Sequence, residues 1–355
     1  MKKQIALLMA AAMAFGLTAC GGNSSSSAPA ETKAAAATEA AKEAEPAADD
    51  PSIELKIGVS TAETDPRNIA AQQFADEIAE KTGGAVTAKV FPSGQLGGDA
   101  DLINSMALDS GTVDIIITDA SNFATYEPKM GISALPFQFE DFDAAWAFMD
   151  SEIEAAAEAP LLDQNMRVLA HYCNGFRCVT NSKKAIETPA DMNAMLIRTP
   201  ENPVIMATMT ALGANPQPLS FSELYQALQQ GTYDAQENPI PVIYNNKLYE
   251  VQQYLSVTNH IYSGMCFTMA ESTWKKLSAD QQAIVEEAAK ASAQADREMN
   301  KEQTENLVSE LEAAGMKINN PELAPFAEAT ESVLTENADT YGELLDQLKS
   351  WKESR

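Results

Sequence analysis

The chain has 355 residues, with 24 lysines and arginines against 51 aspartates and glutamates, for a formal net charge of −27. So acidic a surface repels nucleic acid and anionic lipid, so no nucleic-acid partner is expected, and an anionic ligand must be drawn in by local cations rather than by the overall field. Only two histidines, His171 and His260, are present, and neither accompanies a serine or cysteine nucleophile in a recognisable motif; with no nucleotide-binding Gly-x4-Gly-Lys-Ser/Thr loop either, an enzyme is not expected.

Lys2 and Lys3 precede an apolar run from Ile5 to Leu17, too short to span a bilayer comfortably and shaped like a secretory signal over residues 1–20. The run leads into Leu17-Thr18-Ala19-Cys20-Gly21-Gly22, which resembles the bacterial lipobox, so Cys20 is expected to carry lipid as the first mature residue. Residues 21–52 are mostly Ser, Ala, Glu, Lys, Thr and Pro without a large apolar side chain, the composition of a disordered tether. The remainder is long enough for two medium lobes with a substantial core.

In the globular part, Leu55, Ile57 and Val59 alternate with polar or small residues as in a half-buried strand. Asp65-Pro66 supplies a cap and a first helical position, Ile69, Phe74 and Ile78 form an apolar helix face, and Gly83-Gly84 ends it. A strand over Val86 to Phe91, a helix from Asp99 to Leu108 and a strand over Val113 to Thr118 complete the rhythm of a parallel sheet with covering helices. Residues 167–262 begin again, with strands predicted near Val168 to Tyr172, Met195 to Arg198 and Tyr233 to Gln236, and helices near Pro203 to Leu212 and Phe221 to Leu228. Leu108 to Asp114 and Leu228 to Asp234 share Leu-x-x-Gly-Thr-x-Asp, a short echo between the two α/β lobes. Ser278 with Gln281 makes a capping box for one or two long helices over Ser278 to Ala314, with Trp274, Met299 and Leu307 as packing contacts.

Cys173, Cys178 and Cys266 are an odd set; free buried thiols are expected, with a Cys173–Cys178 bridge as the alternative. His171 lies near the first two, but Cys-x4-Cys with one histidine lacks the ligand count of a zinc site, and no metal or other cofactor is expected.

Ligands of open α/β sheets bind beyond the carboxyl ends of the strands. The polar residues there are Asp119, Ser121 and Asn122, then Arg198, then Glu237 and Asn238. Arg198 leads them, because its planar fork can hold a carboxylate through two charge-assisted hydrogen bonds, with Asn238 as a further donor; a structural pair with Glu201 is the alternative. Tyr262 follows a loop, as a cleft-lining residue or a buried core tyrosine, and Arg67 reads as a solvated first-turn charge.

Several stretches match a known family in order and spacing: Val90-Phe91-Pro92-Ser93-Gly94-Gln95-Leu96-Gly97, Leu135-Pro136-Phe137-Gln138-Phe139, Thr188-Pro189-Ala190-Asp191-Met192, Ile197-Arg198-Thr199-Pro200, Gly231 to Pro239, and Asn259-His260-Ile261-Tyr262. The chain resembles the solute-binding subunits of TRAP (tripartite ATP-independent periplasmic) transporters. That resemblance implies a two-lobed α/β clamshell of the periplasmic-binding-protein kind, with a long helix across both lobes. Residues 53–176 with 264–303 would form one lobe, and 177–263 with 304–355 the other. It implies capture of a small organic acid, a dicarboxylate or sugar acid, and its delivery to a membrane permease. Arg198 matches the signature arginine, Asn238 the carboxylate-facing asparagine, Arg177 a second ligand-facing arginine, with a structural ion pair as its alternative, and Phe221 an aromatic wall, with a core position as its alternative. Asp119 and Asn122 lie on the loop that reads the distal end of the solute, and Asn122, where sialic-acid-binding relatives place an arginine, argues against that substrate. A ligand-sensing module serving a signalling receptor would share the fold.

Overall fold

The computed structural model describes residues 51–355, so the expected signal, Cys20 and the tether up to residue 50 lie outside the described residues. The first lobe opens with β1 (Ile53–Gly58), α1 (Pro66–Lys81), β2 (Val86–Phe91), α2 (Asp99–Ala107) and β3 (Ile115–Asp119). The start of α1 follows from its sequence: Asp65 accepts the Arg67 backbone N–H and Pro66 needs no partner for a missing one. Two short helices, α3 (Phe142–Met149) and α4 (Glu152–Glu158), precede the 16-residue β4 (Met166–Asn181).

The second lobe repeats the pattern with β5 (Leu196–Thr199), α5 (Pro203–Ala211), β6 (Asn215–Pro218), α6 (Phe221–Gln229) and β7 (Ala235–Pro239). After α7 (Ile240–Asn245) and β8 (Tyr254–Ser256), β9 (Tyr262–Ala270) returns to the first lobe. There follow α8 (Glu271–Trp274), α9 (Ala279–Ala313), β10 (Lys317–Asn319), α10 (Ala324–Ala329), α11 (Glu331–Glu336), α12 (Ala338–Tyr341) and α13 (Glu343–Glu353).

The strand order β2-β1-β3-β9-β4-β7-β5-β6 joins the two lobes through β4. Strands β1, β2 and β3 are mutually parallel neighbours, as are β5, β6 and β7. The sheet is nonetheless mixed rather than parallel, since β9 runs antiparallel to β3 and β4, and β4 antiparallel to β7. Periodicity reveals a strand but not its direction. Here β4 leaves the first lobe and β9 comes back into it, so the two must run oppositely.

The short sequence echo corresponds to a repeated contact. Asp114 accepts the Lys56 backbone N–H at 2.9 Å, and Asp234 accepts that of Leu196 at 3.1 Å, each tying a strand start to the preceding parallel strand. Gly111 and Gly231 supply the positive φ of the two turns, at 69° and 70°.

Between the lobes β4 changes partner: Met166 to Phe176 pair with β9, Arg177 to Asn181 with β7. Gly175 sits at that change, beside a register shift, with φ 113° and room for a Cβ only 3.2 Å from the Pro239 side chain. Helix α9 has 35 residues, about 52 Å at 1.5 Å per residue, enough to back both lobes. Val285, Ala288 and Ala289 join the first-lobe core of Leu55, Phe74 and Phe267, with Trp274 and Met299 against it, while Leu307 and Leu311 pack with Leu224 and Ile243 of the second. In the middle, Asp296 accepts the Cys173 N–H and Asn300 donates to the Cys173 carbonyl, fastening the helix to β4 two residues before Gly175.

Residues 304–355, assigned to the second lobe by the resemblance, divide between the cores. Phe326 packs with Met192, Ile197 and Met209, whereas Val333, Tyr341, Leu344 and Leu348 share a cluster with Phe148 and Phe123. Cys173, Cys178 and Cys266 are free and buried. No helix among the described residues is long and apolar enough to cross a membrane.

Candidate functional site

The carboxyl ends of β1, β3, β5 and β7 and the first residues of α2 and α6 face one another across the lobe boundary. Between them lies an inner cavity of about 40 Å³, whose walls include Arg198, Asn238, Arg177, Phe221, Asp119 and Asn122. An outer cleft of about 750 Å³ adjoins it and shares Asp99, Asn122, Arg198, Pro200 and Phe221. Residues from four distant stretches of chain are thus brought to one place.

Arg198, on β5, is only 3% exposed. Its Nε and Nη2 both donate to the Leu219 carbonyl oxygen, at 2.8 and 2.6 Å, and its guanidinium lies 5.8 Å from the centroid of the Phe221 ring. The alternative pair with Glu201 does not form: among the described residues the guanidinium hydrogen-bonds this carbonyl alone. Burial, incompletely offset by Glu237 further off, lowers its pKa to about 10. A buried cation facing a cavity without its own carboxylate is an unfilled anion site.

Arg177 stands on the same wall but is already committed. It donates through Nε and Nη2 to both carboxylate oxygens of Glu237, and through Nη2 to the Glu237 carbonyl at 2.7 Å and to Asn238 Oδ1 at 3.2 Å. Strand pairing sets this up, since Arg177 and Glu237 lie on the adjacent antiparallel strands β4 and β7. The guanidinium holds Glu237 down at about 2 despite full burial. His260 sits behind; burial lowers its pKa against the pull of Glu237, so the imidazole is neutral. Nε2–H then donates to Glu237 Oε2 and Nδ1 accepts the Thr258 hydroxyl. The expected second ligand-facing arginine is therefore a neutralised ion pair that orients its neighbour. Asn238, which lines the inner cavity, accepts from Arg177 and donates one N–H to Gln236.

On the first-lobe side, Asp119 caps the turn after β3 and accepts from Ser121 and from the Ser263 hydroxyl. Asn122 donates to Thr118 Oγ1 and accepts from Asn202, which also bonds Ser121 Oγ. Asn202, the N-cap of α5, thereby links the second lobe to the first.

Three findings depart from the sequence reading. Tyr262 is 2% exposed and packs edge-on against Phe139 and Phe176, at 6.0 and 5.3 Å between ring centroids, away from the cavity. Every residue of β9 is buried, so alternation gives no hint of which face holds the cleft. Arg67 is not a solvated charge: it is 4% exposed, pairs with Asp65, donates to Asn174 and lines the inner cavity. Asp99, the first residue of α2, was not singled out. It touches both cavities, its Oδ1 is buried without a partner, and burial raises its pKa against the pull of Arg67. The available signal was its place directly after the Gly97-Gly98 turn, at a helix start facing the strand ends.

Two α/β lobes joined by exchanged strands, with a buried cation in the cleft between them, define a solute-binding protein. The family model for bacterial extracellular solute-binding protein, family 7, matches residues 57–340, and the chain belongs to this family, the solute-binding subunits of TRAP transporters. It is 35% identical over 265 residues to the 2,3-diketo-L-gulonate-binding periplasmic protein YiaO of Escherichia coli, covering 74% of this chain and 80% of that one. The C4-dicarboxylate-binding protein DctB of Bacillus subtilis is 32% identical over 72% of this chain and 73% of its own. Among solved structures, a TRAP periplasmic solute-binding protein of Roseobacter denitrificans with bound L-galactonate superposes with a TM-score of 0.80 at 32% identity, covering 85% of this chain and 99% of that one. The family's members are extracytoplasmic binding proteins rather than enzymes.

Proposed function

We propose that this protein captures a polyhydroxylated monocarboxylic acid and does no chemistry on it. The observation that carries the reading is Arg198, a buried guanidinium at the cavity wall with no carboxylate of its own. The ligand carboxylate takes the free N–H edge of Arg198 and the spare amide hydrogen of Asn238, beside the Phe221 ring. At the far wall Asp99 and Asn122 are polar but carry no unpaired cation, so they suit hydroxyl groups better than a second carboxylate. The relatives that bind sugar acids favour the same class.

Closure of the lobes desolvates the carboxylate, and the closed form is what a membrane permease receives. The signal and lipobox suit attachment to the cell envelope through lipid on Cys20, with residues 21–52 as the spacer. A thermal-shift series with aldonates, uronates, succinate and malate tests the ligand class. At 100 times Kd a ligand adds about 2.7 kcal/mol of stability, several degrees in Tm. Stronger stabilisation by a four-carbon dicarboxylate than by any sugar acid would overturn the assignment.

A further inference from the structure

Outside the cleft, a second cluster of polar side chains lies within the first lobe. His171 on β4 is directly across from Cys266 on β9, so the two side chains share one face of the sheet. Helix α4 meets that face with Glu154 and Glu158, four residues apart and hence on the same side of the helix. His171 Nε2 is 2.5 Å from Glu158 Oε1, and Cys266 Sγ is 3.8 Å from the same oxygen. One ligand atom from each of the three falls within 4.8 Å of the others. Tetrahedral zinc, with ligands at about 2.0–2.3 Å, needs them about 3.3–3.8 Å apart, so shifts of about an ångström bring these three to ligand spacing.

The independent observation is Glu154. It is fully buried, and neither carboxylate oxygen has a hydrogen-bond partner. Its carboxyl is near enough for its charge to act on Glu158, His171 and Cys266. An orphaned buried carboxyl costs stability unless something binds it. The imidazole is also oriented as in metal sites: Asp150 Oδ1 is 3.3 Å from His171 Nδ1, and Arg297 holds Asp150 at 2.6 and 2.7 Å. The side chains of His171 and Glu158 are 13% and 12% exposed, leaving a path from solvent.

We propose that His171, Cys266, Glu158 and Glu154 bind one divalent transition-metal ion of the zinc type, pinning α4 to the β4–β9 pair. Imidazole and thiolate alongside carboxylate select zinc over calcium or magnesium, which prefer oxygen alone. The neighbouring Cys173 and Cys178 take no part, so the ligand set is one that spacing along the chain does not reveal. The role is structural and remote from the solute.

The test is titration of the tag-free, chelator-stripped protein with Co2+, followed by displacement with Zn2+. One equivalent should give the strong visible bands of four-coordinate cobalt and a near-ultraviolet thiolate-to-cobalt band, and zinc should abolish both. Cys266→Ser should remove the thiolate band. Glu154→Gln, nearly isosteric, should keep that band and weaken affinity by about tenfold or more. A weak octahedral spectrum without a thiolate band in the parent protein overturns the proposal. So does a Co2+ affinity unchanged by Glu154→Gln, whatever becomes of the folding of the cysteine variant.

Discussion

Replacing Arg198 by alanine separates ligand recognition from folding. Burial lowers the pKa of this guanidinium to about 10, on the order of 3 kcal/mol against holding the charge in the ligand-free protein. A bound carboxylate recovers that energy, so Arg198→Ala should weaken binding by about 3 kcal/mol, or roughly 100-fold or more in Kd. The ligand-free protein should lose little. The alanine variant frees the Leu219 carbonyl, a cost of about 1–3 kcal/mol, but also removes an uncompensated buried charge. Isothermal titration with the acid that gives the largest thermal shift measures the first effect, and urea denaturation without ligand the second. Affinity within threefold of the parent protein would refute the reasoning. A ligand-free protein destabilised as much as the binding is weakened would recast Arg198 as a structural residue.

Glu237→Gln leaves Arg177 charged and buried without its partner, and should destabilise the protein by about 3–5 kcal/mol in urea denaturation. The same pair sets an acid limb. Because the folded pKa of Glu237, about 2, lies below its ordinary 4.5, its stabilisation is complete above pH 4.5 and is lost as pH falls toward 2. The parent protein should therefore lose more stability across that interval than Glu237→Gln, as measured by denaturation at a series of pH values. Asn202→Asp keeps the cap of α5 but removes the amide donors to Ser121 and Asn122. It should raise the ligand off-rate several-fold, about 1 kcal/mol, with Tm nearly unchanged; an unaltered off-rate in stopped flow would deny this contact a part in holding the lobes together.

Much of the local structure is legible in the sequence because its causes are local. Asp65-Pro66 starts α1, Ser278 and Gln281 start α9, and the two Leu-x-x-Gly-Thr-x-Asp segments lead into β3 and β7. Capping and turn chemistry act over three or four residues, which a one-dimensional reading sees directly. Arg198, Asn238, Asp119 and Asn122 were singled out because strand ends collect polar residues in this architecture, and Phe221 by the family resemblance; all five line the inner cavity.

What the chain does with its charges is a different matter. Arg177 and Arg198 look alike in sequence, yet one meets a carboxylate 60 positions away and the other meets only a carbonyl. Arg67 reads as a solvated charge and is buried, and Tyr262 turns into the core rather than the cleft. The amino-acid order determines where elements begin, end and present apolar faces, since those depend on near neighbours. Which cation is neutralised and which is left for a ligand depends on strands from distant segments lying side by side, and only the tertiary structure decides it.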